Sequence, residues 1–286
     1  MKTVGKVVLC VVAYIAGVML SGIITGALHL PSPGLPPGAT QQGAFGAMLV
    51  GVPLLVIGLT PLAMGLAGSR LQRAIALFTV LFVAIAVNTM IEAKVFSTFL
   101  NISVPMMCLH YVLPCLFLTL AMVMLFKSAG QPMGFASLST TQWAGRIAAA
   151  WLAFPVIYIL FGMCVAPFVT QAYLDGIAGL KLPPMSLILE VQAGRSLLFL
   201  ASSLPIVMLW AGSRKNLLFA FGFAEAMMVG IHALAQAYWL PTVLRIGHSI
   251  EITFDSFAYI AVLVFLFAAR EKKSADVPSA AHAVVA

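Results

Sequence analysis

The stretch from Ala74 to Phe96, AIALFTVLFVAIAVNTMIEAKVF, decides the fold. From Ala74 to Val87 it carries one hydroxyl and no charge. The apolar residues are continuous rather than alternating, so the stretch is not a half-buried strand or a barrel strand. At about 1.5 Å per residue its length suits a hydrocarbon layer of about 30 Å, and only a helix satisfies its own backbone there. Its polar residues, Asn88, Glu92 and Lys94, crowd toward one end.

The rest of the 286-residue chain repeats this composition. It is 62% hydrophobic and 8% charged, with a mean hydropathy of +1.09, whereas a soluble domain carries about a quarter charged residues. The net charge of +7 does not point to nucleic acid, because Lys and Arg stand singly at the ends of apolar runs. Cys10, Cys108, Cys115 and Cys164 all lie within apolar runs, without a C-x-x-C pair, and read as small core residues.

Division at charged, Pro-rich and Gly-rich breaks predicts eight spans, near 7–29, 47–66, 74–96, 105–126, 147–168, 187–210, 217–239 and 250–269. The first is expected to be a retained span rather than a cleaved signal peptide, since it is too long and lacks a convincing A-x-A site. One polytopic membrane domain over 1–270 follows, with a disordered cytoplasmic tail over 271–286.

Lys and Arg fix the expected orientation. Lys2, Lys6, Arg70, Arg73, Lys127, Arg146, Arg214, Lys215, Arg270, Lys272 and Lys273 fall on one side, against Lys94, Lys181, Arg195 and Arg245 on the other. Both termini are therefore expected in the cytoplasm, with the protein in the cell's inner (cytoplasmic) membrane.

An internal repeat is also expected. Pro61, Met64 and Ala67-Gly68-Ser69-Arg70 recur as Pro205, Met208 and Ala211-Gly212-Ser213-Arg214, and the same offset carries Asn88 onto His232 and Glu92 onto Gln236. At a slightly smaller offset, Gly5-Lys6 matches Gly145-Arg146 and Gly22 matches Gly162. Four spans per half make the halves, about 1–130 and 140–270, parallel repeats about an axis along the membrane normal. The plain alternative is chance alignment of apolar sequence.

Ionisable residues within spans are costly and point to function. Glu225 lies near the middle of span seven, and a carboxyl there must be protonated or paired. Spacings of three and four place Glu225, Val229, His232 and Gln236 on one stripe, and Asn88 with Glu92 on its repeat equivalent. Arg245, His248, Glu251 and Asp255 make one face of span eight, suited to metal ligation, proton relay or acid/base work. Arg195 is a snorkelling residue, a counter-ion for Glu190, Glu92 or Glu251, or an anion clamp. For all of these, interhelical hydrogen bonding that holds the bundle is the alternative.

His29, His110, His232 and His248 all fall on the expected outer side. With Glu251, the last three offer a metal site, or a pair of them axial ligands for haem, although no H-E-x-x-H or C-x-x-C-H supports this. The chain lacks a Walker A loop, G-x-S-x-G and S-x-x-K, and its cytoplasmic loops are too short for a catalytic domain.

The expectation is thus an all-α integral membrane protein that acts as a small-solute or ion transporter with no resident cofactor. Its substrate site would comprise Glu225, His232, Gln236, Asn88, Glu92, Arg195, Arg245 and Asp255, with protonation of Glu225 or His232 coupled to substrate movement. A membrane-embedded haem or metal enzyme using His110, His232, His248 and Glu251, and a non-catalytic subunit, are the alternatives. Beyond lipid, the sequence names no protein partner.

Overall fold

The computed structural model describes residues 2–31, 34–98, 100 and 103–269. The expected tail over 271–286, with Arg270, Lys272 and Lys273, lies outside the described residues. Among those described, eight helices are long and apolar enough to cross a membrane: α1 (Thr3–Ala27), α2 (Gln41–Gly65), α3 (Arg70–Phe96), α4 (Val104–Leu125), α5 (Thr140–Leu174), α6 (Met185–Leu209), α7 (Arg214–Gln236) and α8 (Thr242–Phe267).

The helices begin before the apolar runs do. Ser69 and Ser139 each accept from the backbone of Gln72 and Gln142, whose side chains return the bond, so α3 and α5 open on capping boxes. Ser213 caps α7 through Asn216, and Thr40 caps α2 through Gly43. Gly68, at φ +94°, makes the tight turn between α2 and α3 that a side chain would strain. The longest departure from expectation is α5, 35 residues, which continues through Pro155 and Pro167. Helix α8 starts at Thr242, ahead of the apolar run expected from about 250, so Arg245 and His248 lie on the same helix as Glu251 and Asp255.

Two helices change pitch. In α3, Val83–Asn88 is π-helical, and in α7, Ala226–His232 is. The two π stretches pack against each other. Around them, α1 packs on α2 and α4, α5 on α6 and α8, α3 on α4 and α6, and α7 on α8 and α2. Small residues let the helices approach closely: a Cβ at Gly17 would stand 2.7 Å from the Pro114 Cα, in the backbone of α4.

One end of the bundle is laced by backbone bonds. Ala67 N–H donates to the Leu209 carbonyl and Ala211 N–H to the Gly65 carbonyl, while the 127–136 connection donates from Ala129 to Leu66 and from Met133 to Trp210. Arg73 and Arg214 donate to the carbonyls of Phe126 and Val264, which terminate α4 and α8. At the other end, Thr98 N–H donates to Gly179 and Lys181 N–H to Phe96, and the Tyr238 hydroxyl bonds Thr40. The outer face is apolar, with Val4, Met124, Phe168 and Phe265 all more than 70% exposed.

Candidate functional site

The site is built around Arg195 on α6. Its Nε donates to Asn88 Oδ1 at 2.7 Å, one terminal nitrogen to Gln192 Oε1 at 2.9 Å, and the other lies 2.7 Å from Glu92 Oε1. The guanidinium also lies over the rings of Phe154 and Tyr158 of α5, at 5.7 and 5.5 Å from their centres. The arginine is 4% exposed and Glu92 31%, so a cation is buried with three acceptors aimed at it. It does not snorkel. Of the counter-ions expected for it, Glu92 is the one that forms the pair. Trp151 bonds the Ala193 carbonyl and Ser196 the Trp151 carbonyl, which pins α5 to α6 beside this network.

Below Arg195 lies a cavity of about 60 Å³ between α5, α6, α7 and α8. Glu92, Arg195, Glu225 and Asp255 all border it. Among the described residues, Glu225 Oε1, Asp255 Oδ1 and Ser203 Oγ have no hydrogen-bond partner, although Glu225 is 4% exposed and Ser203 0%. Unpaired buried oxygens are costly to a fold, so such a concentration in one cavity marks a place for something polar. A cavity of this size holds water or an ion rather than an organic solute.

A larger cleft of about 470 Å³ adjoins it, sharing Glu92, Tyr158, Val229 and Ile252. At its polar end, His248 Nδ1 lies 2.6 Å from Glu251 Oε2 and the Tyr173 hydroxyl lies 3.0 Å from His248 Nε2. Gly162 of α5 faces Glu251, where a Cβ would come within 3.2 Å of Oε1.

The expected stripe on α7 does not hold together. Glu225 and Val229 face the cavity, but His232 lies edge-on to Tyr14, 6.4 Å between ring centres, and Gln236 bonds the Ala47 carbonyl. The π stretch between them is the reason: its i to i+5 bonding widens the turn and rotates everything beyond it. His232 and Gln236 therefore sit against Gly51 of α2, where a Cβ would be 3.2 Å from His232 Nδ1 and 2.7 Å from Gln236 Nε2.

Arg245 borders neither cavity, and among the described residues its side chain bonds only the Thr242 hydroxyl, at 3.4 Å. The histidines do not converge either. His110 bonds the Pro31 carbonyl near the end of α1, His232 packs on α1 and α2, and His248 pairs with Glu251 between α5 and α8. Among the described residues no three His, Cys, Asp or Glu are grouped to hold a metal ion.

Sequence reasoning missed Gln192, Tyr158, Tyr173 and Ser203. Gln192 was within reach, since it stands one helical turn before Arg195 and shares its face. The tyrosines read as ordinary aromatic residues because only their hydroxyls are polar. The chain matches no protein-family model, no curated protein and no solved structure.

Proposed function

We propose that the chain is an eight-span protein of the cell's inner (cytoplasmic) membrane, with both termini in the cytoplasm, that transports a small solute or ion. Its apolar outer face and eight apolar helices support lipid as the solvent. The observation that carries the transport reading is the cavity with unpartnered oxygens of Glu225, Asp255 and Ser203, which shares Glu92, Tyr158, Val229 and Ile252 with a cleft large enough for a solute.

The two halves are parallel repeats about an axis through the π stretches. Supporting this, Leu66 pairs with Trp210, its own counterpart at the offset that carries Pro61 onto Pro205, and the bonds Ala67 to Leu209 and Ala211 to Gly65 exchange under it. The same offset carries Gly51 onto Arg195. One half thus has an arginine between Asn88 and Glu92, and the other a bare backbone against His232 and Gln236. In this reading only the Arg195 half keeps an open site, and Glu225 is the group that exchanges a proton as substrate moves.

The test is flux. Purified protein in liposomes carrying an internal pH dye should acidify or alkalinise on addition of one member of a panel of small cations, anions, amino acids and sugars. Glu225→Gln should abolish that response while leaving the melting temperature within a few degrees. A proton response to an effective solute that survives Glu225→Gln would remove Glu225 from the mechanism, and no response to any solute would count against transport.

A further inference from the structure

Resting on the transport reading, we infer that the larger cleft takes a small organic monocation with an apolar body, bound by Glu92 and Glu251. The charge of the lining decides the class. Glu92 and Glu251 are its carboxylates, His248, Tyr158 and Tyr173 its other titratable side chains, and no Lys or Arg is among the described residues that line it. Arg195 stands behind Glu92 with its nitrogens on Asn88, Gln192 and Glu92, so it is not free to clamp an anion.

Each carboxylate keeps one oxygen for a ligand. Glu92 spends Oε1 on Arg195 and Glu251 spends Oε2 on His248, while Gly162 leaves room in front of Glu251 Oε1. Tyr158, Tyr173, Phe96 and Trp239 add aromatic walls, and a cation is attracted to such faces as well as to the carboxylates. Most of the remaining lining is aliphatic, so the ligand that fits has one positive group and an apolar remainder, at a volume usual for small-molecule sites. A sugar would find too few hydrogen-bond partners there, and an anion no free cationic donor.

The probe is tetraphenylphosphonium, measured by equilibrium dialysis against the full chain in mild detergent, beside tetraphenylborate, which has the same shape and the opposite charge. The expected result is saturable binding of the cation, weakened at least tenfold by Glu251→Gln, with no saturable binding of the anion. Gly162→Val, which crowds Glu251 without removing charge, should weaken the cation as well and serves if Glu251→Gln lowers the melting temperature. Equal saturable binding of the borate, binding of the cation unchanged in both variants, or a co-purifying aminophospholipid that the cation fails to displace would each overturn the assignment. Liposome flux separates this from the parent reading. Cation binding without flux of any solute keeps the ligand class and removes transport, whereas flux of another solute without cation binding does the reverse.

Discussion

Arg195 concentrates the energetics of the site. Its three acceptors and two aromatic neighbours are disposed around a planar fork, which an ammonium cannot imitate. Arg195→Ala would leave Asn88 and Glu92 facing each other without their donor. We expect a loss of about 3 kcal/mol, at the lower end for buried pairs because Glu92 is partly open, read as a lowered melting temperature in detergent. Arg195→Lys should recover only a minor part of it. Glu92→Gln in the Arg195→Ala background should cost little more, since the pair is already broken; additive losses would deny the coupling. The ionisable residues of this site were visible in the sequence because each interrupts an apolar run. The partners of Arg195 were not, since which of several acidic groups meets it depends on how α3 and α6 pack.

At the scale of the helix, the existence of eight apolar spans follows from composition, and their ends follow from capping. Hydropathy finds the stretch that suits hydrocarbon, whereas Ser139 with Gln142 sets where α5 starts. Neither signal reveals a π stretch, whose i to i+5 bonding leaves no mark in hydropathy or capping residues. That is why Glu225 and His232, on one face by spacing, face different neighbours. Deleting Met227 within the π stretch of α7 should restore α-helical pitch and bring His232 out of its contact with Tyr14. Tyr14→Phe fluorescence and proton-NMR titration of His232 before and after the deletion would show an unchanged His232 environment if the π stretch were not responsible. Close packing supplies a second prediction. Gly17→Leu forces side-chain atoms into the α4 backbone and should cost 3 kcal/mol or more, at about the level of a large core disruption, whereas Gly22→Leu, which meets nothing within 4 Å, should melt as the parent does.

For the whole molecule, orientation and access are what matter. The excess of Lys and Arg at the end where α2 meets α3 and α6 meets α7 predicts which loops translocate. Alkaline phosphatase fused after Gly179 should be active outside the inner membrane and inactive when fused after Ser69; the reverse pattern would invert the proposed topology. The two A-G-S-R turns are what suggest the proposed repeat in the sequence, whereas the difference in contacts between its proposed halves is not visible there. At the proposed offset Gly51 falls on Arg195, and contact geometry shows His232 and Gln236 packed against Gly51 while Arg195 carries the charge beside Asn88 and Glu92.

If the chain is the proposed transporter, the Glu225 cavity exchanges with the aqueous phase during turnover and is not a sealed gap. Ser203, fully buried with its hydroxyl unpartnered on the cavity wall, is the reporter. In a chain whose four native cysteines are replaced by Ala, the thiol introduced by Ser203→Cys is exposed to a small, charged, membrane-impermeant thiol reagent added to sealed vesicles. The thiol is expected to react from at least one side, at a rate that falls when the cleft is crowded by Gly162→Val. A thiol that reacts from neither side, in protein that remains folded, would contradict it.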